Sequence, residues 1–102
     1  MPAEVRREMG VALRAAQGSR RHPHAKPYTT GKHKGWSVIE IVEDHVTDTY
    51  RLVYTAHFPD VVFVLCAFKK KSPRGLTTPR PNQALIELRY QLAENRVVVT
   101  RR

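Results

Sequence analysis

Residues 61–68 (VVFVLCAF) form the longest uninterrupted apolar run of the chain, and no other feature constrains the fold as strongly. The run is far shorter than the about 18–20 apolar residues that cross a membrane. Its length and its β-branched and aromatic content are typical of a strand. Because the run is apolar at every position, we expect its strand to be covered on both faces.

Two further segments rich in β-branched residues precede this run, at residues 36–42 (WSVIEIV) and 47–56 (TDTYRLVYTA). The connections at 43–46 and 58–60 are short enough for antiparallel hairpins. The sequence therefore predicts a three-stranded antiparallel meander that ends with the strand over 61–68.

Two helices flank the predicted sheet. Residues 3–17 repeat apolar side chains at the spacing of an amphipathic helix, and Gly18 is a suitable stop. A second helix is predicted over 79–95, because Thr78 is a favourable N-cap and Pro79 suits the first helical position. The apolar stripe of the first helix consists of Val5, Met9, Ala12, Leu13 and Ala16, and that of the second consists of Leu85, Leu88 and Leu92.

The remaining segments are polar or short. Basic loops are predicted over 19–35 and 69–77, and the tail over 96–102 (RVVVTRR) stays open between an extra strand and a frayed end. A length of 102 residues gives room for one small domain. The sequence therefore predicts a single α+β domain over 1–102, with both helices packed on a small antiparallel sheet.

The chain is strongly basic, with 18 Lys and Arg against nine Asp and Glu and a formal net charge of +9. The signs are segregated, since residues 69–80 contain five basic side chains and no acidic one. Such a surplus favours a polyanionic partner, most often nucleic acid, and the alternative is a basic protein without such a partner. The single cysteine excludes an internal disulfide. Without a recognisable secretory signal, we expect a cytoplasmic location and no membrane partner.

Basic side chains are expected to converge at one end of the predicted sheet. Arg51 interrupts a strand, and Lys69, Lys70 and Lys71 follow the next one, with no acid between these cations along that end. Like charges brought together are costly unless an anion sits among them, and a phosphodiester is such an anion. The alternative is that the lysines only solubilise a strand end.

The turn between the two strands decides which lysine meets Arg51. A two-residue turn places Arg51 opposite Phe68, with Lys70 on the same face. A three-residue turn places Arg51 opposite Ala67, with Lys69 on the same face. The residues alone leave both registers open.

Several short motifs occur in a distinctive order: Lys26-Pro27 with Gly31, the strand segment 50–54 (YRLVY), the segment 67–70 (AFKK) and Thr78-Pro79. In this order and spacing they resemble the RelE/HigB superfamily of type II toxins, in particular its phage-related HigB-like branch. The likeness covers residue 2 to about residue 95. That family normally opens with a strand and the start of a helix before the segment that matches the start of this chain, so we expect either that the start is truncated or that the sheet lacks the family's first strand.

The resemblance implies a ribosome-dependent mRNA endoribonuclease, or mRNA interferase, that a cognate antitoxin of helix-turn-helix type neutralises in a hetero-oligomer. It implies attack of the RNA 2′-OH on the adjacent phosphate, with no metal or other cofactor. Such a reaction needs a base, an acid and cations. By the family's pattern Arg51 holds the phosphate, Lys70 closes the following strand and Lys69 assists. The residues that would contact RNA are Lys32, Lys34, Trp36, Lys71, Arg74 and Arg80.

Two side-chain groups have competing interpretations. Glu40 is a candidate general base, and the alternative is a surface carboxylate paired with a strand neighbour. His22 and His24 can ligate a metal ion, but no cysteine or acidic partner converges on them in the sequence, so no metal site is expected. Two functions remain open: an RNA-cleaving toxin, and a non-catalytic basic module that binds RNA, the ribosome or an antitoxin as a degenerate toxin.

Overall fold

The structure, a computed structural model, describes residues 1–31, 33, 35–46, 48–58, 61–70 and 78–100. Along this part of the chain the elements are α1 (Ala3–Gln17), β1 (Ala25–Pro27), β2 (Val38–His45), β3 (Asp48–Thr55), β4 (Val64–Lys70) and α2 (Arg80–Thr100). The described strands form one antiparallel sheet in the order β1-β2-β3-β4. One helix packs on each face of this sheet. The predicted α+β class is confirmed.

Helix α1 covers one face of the sheet and has the bounds that the sequence predicts. It ends at Gly18, whose backbone N–H bonds to carbonyls of the last turn. Burial of its apolar stripe stabilises the helix by about 1.5–3 kcal/mol for each large side chain. The buried members of the stripe are Val5, Met9 and Ala12, which pack with Ile39, Ile41, Tyr50, Leu52 and Tyr54 of the sheet, and Leu13 and Ala16 are partly buried beside them.

Helix α2 covers the opposite face with only part of its predicted stripe, since Leu85 is partly buried against the core on this side. Ile86 is fully buried in a cluster with Val38 and Val53 of the sheet. Leu88 and Leu92, which were expected to share the buried face, are exposed. The helix is rotated so that Ile86 rather than these leucines meets the strands.

The C-terminal end of α2 also differs from the prediction. The helix begins at Arg80 and continues to Thr100, so the predicted end near residue 95 is wrong and the tail up to Thr100 is not a strand. Each added helical residue forms one more backbone hydrogen bond, which offsets the weak helix propensity of residues 97–99. Residues 101 and 102 lie outside the described residues. Neither described helix combines the length and the apolar character that a membrane crossing requires.

The sheet has one strand more, within the described residues, than the sequence predicts. Residues Ala25–Pro27 lie in the predicted basic loop over 19–35, yet they pair with β2 through Ala25↔Ile41, Lys26↔Glu40 and Pro27↔Ile39. Proline has no N–H to donate and is therefore tolerated at a sheet edge. Three residues are too few to show a strand pattern, so the pairing partner rather than local sequence decides this strand.

The strand bounds differ from the predicted ones by a few residues. The strands begin at 38 and 64 where 36 and 61 were predicted, and β3 spans 48–55 where 47–56 was predicted. The β3–β4 pairing includes Arg51↔Phe68, the register that a two-residue turn predicts, but a register shift lies between Val53 and Tyr54. The expected register is therefore reached through an irregularity in the ladder. Residues 59 and 60, the expected turn, lie outside the described residues.

Candidate functional site

Lys26, Glu40 and Arg51 meet on the sheet face that α2 covers, and these three residues are named the charged cluster. Glu40 of β2 lies directly opposite Lys26 of β1, and Arg51 of β3 lies diagonally across from Glu40. Arg51 Nη1 donates to Glu40 Oε2 at 2.9 Å, and Lys26 Nζ lies 3.4 Å from Glu40 Oε1. One carboxylate therefore faces a guanidinium and an ammonium.

The members of the charged cluster differ in exposure. Arg51 and Glu40 are 3% and 5% exposed, whereas the side chain of Lys26 is 45% exposed. Two charges that leave water are stable only when they are well paired. Arg51 and Glu40 therefore fix each other's position, and Lys26 is the member that solvent reaches.

The expectation that the cations meet with no acid among them is wrong. Glu40 lies eleven residues before Arg51, at hydrogen-bond distance from its guanidinium. Alternate residues of a strand share a face, so closing the β2–β3 hairpin brings both side chains to one side of the sheet. This pairing could have been found in the sequence, because an acidic residue and a basic residue occupy positions of neighbouring strands that face the same side of the sheet.

The pairing register of β4 with β3 places the positions of its two lysines on opposite faces of the sheet. Lys69 lies opposite Tyr50 on the α1 face, and its Nζ is 3.3 Å from Asp48 Oδ2. Lys70 lies opposite Thr49 and is described through its backbone alone. The structure thus brings Arg51 and Glu40 together, and it places Lys69 on the opposite face beside an acid.

Trp36 lies at a cleft of about 550 Å³ beside the end of α1. Its side chain is 39% exposed, and the Arg21 guanidinium stacks on its ring at 3.8 Å from the centroid. Arg20, His57 and Phe58 also line the cleft. Cations beside exposed aromatic rings suit a nucleobase with its phosphate. Arg20 and Arg21 were not among the residues expected to contact RNA, although they lie two and three residues after the helix stop at Gly18.

The other residues expected to contact RNA are less informative. Arg80 is exposed at the first residue of α2. The remaining four, Lys32, Lys34, Lys71 and Arg74, lie outside the described residues.

His22, His24 and Glu43 meet at the edge of the sheet beside α1. His24 Nδ1 lies 2.5 Å from Glu43 Oε1, and this hydrogen bond, together with the negative charge of Glu43, raises the pKa of His24 above 6.5. His22 Nε2 lies 2.8 Å from Glu8 Oε2. The expectation that no acid converges on the two histidines is wrong, because Glu43 reaches them from β2.

Comparison with known proteins identifies the family to which the chain is similar. The family model described as Phage derived protein Gp49-like (DUF891) matches residues 1–91, which include α1, the whole sheet and the start of α2. No curated protein and no solved structure gives a significant match. The matched region contains every residue of the charged cluster. The chain belongs to the phage-derived Gp49-like family, which is a RelE/HigB-like toxin family.

Proposed function

We propose that the chain is the toxin of a type II toxin–antitoxin system, of the HigB-like branch, and that it cleaves mRNA on the ribosome as a metal-independent endoribonuclease. The observation that carries this proposal is the charged cluster, in which a carboxylate, a guanidinium and an ammonium share one sheet face. Membership of a toxin family and a net charge of +9 support the same class of function.

The charged cluster contains the groups that RNA cleavage by the 2′-OH requires. Glu40 is the proposed base that takes the proton of the 2′-OH as its oxygen attacks the adjacent phosphorus. Proton transfer neutralises Glu40, so the Arg51 guanidinium is released from its ion pair and stabilises the charge on the phosphate. The P–O5′ bond breaks, and the exposed Lys26 ammonium is the proposed proton donor to the leaving oxygen. The products are a 2′,3′-cyclic phosphate and a 5′-OH.

Burial of Glu40 and Arg51 sets the order of events. RNA meets Lys26 first, because the other two members are more than nine-tenths buried. The ribose-phosphate reaches them only after the cluster opens, and binding energy from a large partner is suited to drive this step. We therefore propose that cleavage depends on the ribosome and that free RNA is a poor substrate. Lys70 is proposed to assist from the end of β4, and Lys69 to contact RNA from the opposite face.

Further basic residues of the chain are proposed to hold the RNA backbone, and the cleft at Trp36 is proposed to take a base. Phosphate contacts release counterions, so binding should weaken steeply as salt rises. A flat response of ribosome binding to salt would contradict this role. The proposed contacts are Lys32, Lys34, Lys71, Arg74 and Arg80, together with Arg20 and Arg21 of the cleft.

A cognate antitoxin of helix-turn-helix type is the proposed protein partner. Val64, Leu88 and Leu92 are exposed apolar side chains of β4 and α2. Val64 and Leu92 line a groove together with Arg89 and Arg96. An amphipathic antitoxin segment that also carries acidic side chains fits such a groove, because it covers the apolar side chains and complements the positive charge. Binding there would form the toxin–antitoxin hetero-oligomer.

A second candidate is a non-catalytic basic module, a degenerate toxin that binds RNA, the ribosome or the antitoxin without cleavage. The closed Glu40–Arg51 pair favours this alternative, because a paired and buried guanidinium offers nothing to a phosphate until it is released. The two candidate functions differ in whether the charged cluster catalyses RNA cleavage.

The test is inducible expression of the chain, with mapping of mRNA ends and assay for 2′,3′-cyclic phosphate. Arg51→Ala alone is uninformative, because it leaves Glu40 buried without its partner and destabilises the fold. The paired change Glu40→Leu with Arg51→Met keeps apolar volume in place of the ion pair and should still fold. Lys26→Ala is matched with Arg7→Ala, since Arg7 is an exposed cation of α1 and both changes remove one positive charge.

The proposal expects the folded double variant to lose at least about 100-fold in cleavage rate, the scale of one general base. Lys26→Ala should lose more activity than Arg7→Ala at equal stability. Full cleavage by the folded double variant would exclude the cluster as the catalytic centre. Intact mRNA with the parent chain would establish the non-catalytic module instead.

A further inference from the structure

We propose that His22, His24 and Glu43 bind a divalent transition-metal ion of the Zn²⁺ class. Each residue contributes one atom, a ring nitrogen or a carboxylate oxygen, and the three atoms lie within 4.8 Å of one another. Two imidazoles and one carboxylate form a common three-ligand set for Zn²⁺, and they leave a fourth position for water. The site contains no residue of the charged cluster, so the metal-binding proposal does not depend on the RNA-cleavage proposal.

Binding of an ion requires the ligand atoms, which lie within 4.8 Å of one another, to move to tetrahedral spacing. Metal bonds of about 2.0–2.2 Å in a tetrahedral site place ligand atoms about 3.3 Å apart. His24 Nδ1 and Glu43 Oε1 are now 2.5 Å apart, as a hydrogen-bonded pair. His24 is exposed, so its ring can turn to let an ion enter between it and Glu43. The ion then replaces the proton that His24 and Glu43 share.

His22 is already oriented as a metal ligand. Its Nδ1 accepts the backbone N–H of His24 at 3.0 Å, so Nδ1 carries the lone pair of the neutral ring. The proton is therefore on Nε2, which donates to Glu8 Oε2 at 2.8 Å. A carboxylate that holds the second ring nitrogen is the usual outer partner of a metal-binding histidine. Glu8 thus acts as a positioning residue, and the Nδ1 lone pair is available to an ion in exchange for one hydrogen bond.

An ion bound at the site would hold the edge strand of the sheet in place. His24 directly precedes β1, which pairs with β2 over only three residues, and Glu43 belongs to β2. His22 is tied to α1 through Glu8. An ion that joins these residues links the edge strand to its neighbour and to the helix. Because only the folded chain brings the ligands together, Zn²⁺ should raise the unfolding temperature.

The test uses the purified full chain, treated with a chelator, and follows Zn²⁺ binding by calorimetry and Co²⁺ binding by visible absorption. The variants are His24→Ala and Glu43→Gln, which change two ligands, and Glu8→Gln, which changes the positioning residue. His45→Ala is the matched control, since His45 is also paired with a glutamate, Glu4, at 3.4 Å but lies outside the site. Folding of each variant is checked by its unfolding in chelator.

One equivalent of Zn²⁺ is expected, with a tetrahedral Co²⁺ spectrum and an increase in unfolding temperature. Glu8→Gln should weaken binding by about 10–100-fold, and each ligand variant should weaken it by more than Glu8→Gln does. His45→Ala should bind as the parent does. The proposal is overturned if the parent chain does not bind Zn²⁺, if His24→Ala and Glu43→Gln bind as the parent does, or if His45→Ala weakens binding as much as they do.

Discussion

The two faces of the sheet are stabilised in different ways. The α1 face buries apolar side chains such as Ile39, Ile41 and Leu52 in one cluster with the helix. The α2 face buries apolar side chains as well, but next to them it encloses the Glu40–Arg51 ion pair. Apolar burial is non-directional and depends mainly on area, whereas a buried charge depends on one partner at hydrogen-bond distance.

Single substitutions should therefore have different effects on the two faces. A truncation on the α1 face leaves a cavity that neighbouring side chains partly fill. Loss of one charge from the α2 face leaves its partner buried and unpaired, and no rearrangement of apolar neighbours compensates for it. The charged cluster is therefore the part of the molecule that is least tolerant of one-residue changes and most tolerant of paired ones.

The largest effect is expected from Arg51→Ala on the α2 face. It should lower the free energy of unfolding by about 3–5 kcal/mol, because Glu40 then remains buried without its guanidinium. The measurement is urea unfolding followed by circular dichroism. The paired change Glu40→Leu with Arg51→Met should restore most of the loss. A double variant as unstable as Arg51→Ala would contradict the comparison between the faces.

Ile41→Ala is the matching change on the α1 face. Ile41 is fully buried in the cluster under α1, and its truncation should lower the free energy of unfolding by about 2–4 kcal/mol. Ile41→Val should cost only about 1 kcal/mol, because most of the volume remains. Equal losses for the two variants would show that the site does not behave as a packed apolar core.

Val46→Asn tests the connection between β2 and β3, which brings Glu40 and Arg51 onto one face. Val46 has a positive φ of 57° and is 90% exposed, so a β-branched side chain is strained there without any packing in return. Asparagine tolerates this conformation better, and the variant should gain about 1 kcal/mol in unfolding free energy. No gain in the urea midpoint would mean that Val46 is not strained in solution.

Tyr54→Phe is expected to have the smallest effect at neutral pH and a distinct one in alkali. The buried Tyr54 hydroxyl has no hydrogen-bond partner among the described residues, so the variant should be at least as stable as the parent. Burial raises the pKa of Tyr54 above 10. As pH rises past about 10 the unfolded chain ionises first, so the unfolding free energy of the parent falls until the folded-state pKa is reached.

The measurement is unfolding free energy between pH 8 and the alkaline limit of folding, compared for parent and variant. The alkaline fall should be shallower in Tyr54→Phe, because the variant lacks this ionisable group. Identical slopes would show that Tyr54 ionises equally easily in the folded and the unfolded chain.

Local pattern was sufficient for some elements and insufficient for others. Helix α1 has the predicted bounds, because the spacing of its apolar residues and the stop at Gly18 act within the helix itself. Strand β1 was missed, because its three residues become a strand only by pairing with β2. In α2, leucine spacing suggested a buried face, but contact with the sheet selected Ile86.

The candidate site shows the same division. The sequence selected Arg51 and Glu40 separately, one as a cation and one as a candidate base. It did not pair them, because their contact depends on how β2 and β3 align. His22 and His24 were candidate metal ligands in the sequence, but no acidic partner could be identified for them there. Glu43 is that partner, and it reaches them across the edge of the sheet.

The α+β class, the basic character of the chain and the position of α1 could be predicted, because they depend on composition and on periodicities within a single segment. The contact of Arg51 with a carboxylate and the approach of Glu43 to two histidines became visible only in the folded chain. Hydrogen bonds between distant side chains depend on strand register and ångström-scale placement, and no single segment of the chain encodes either of these.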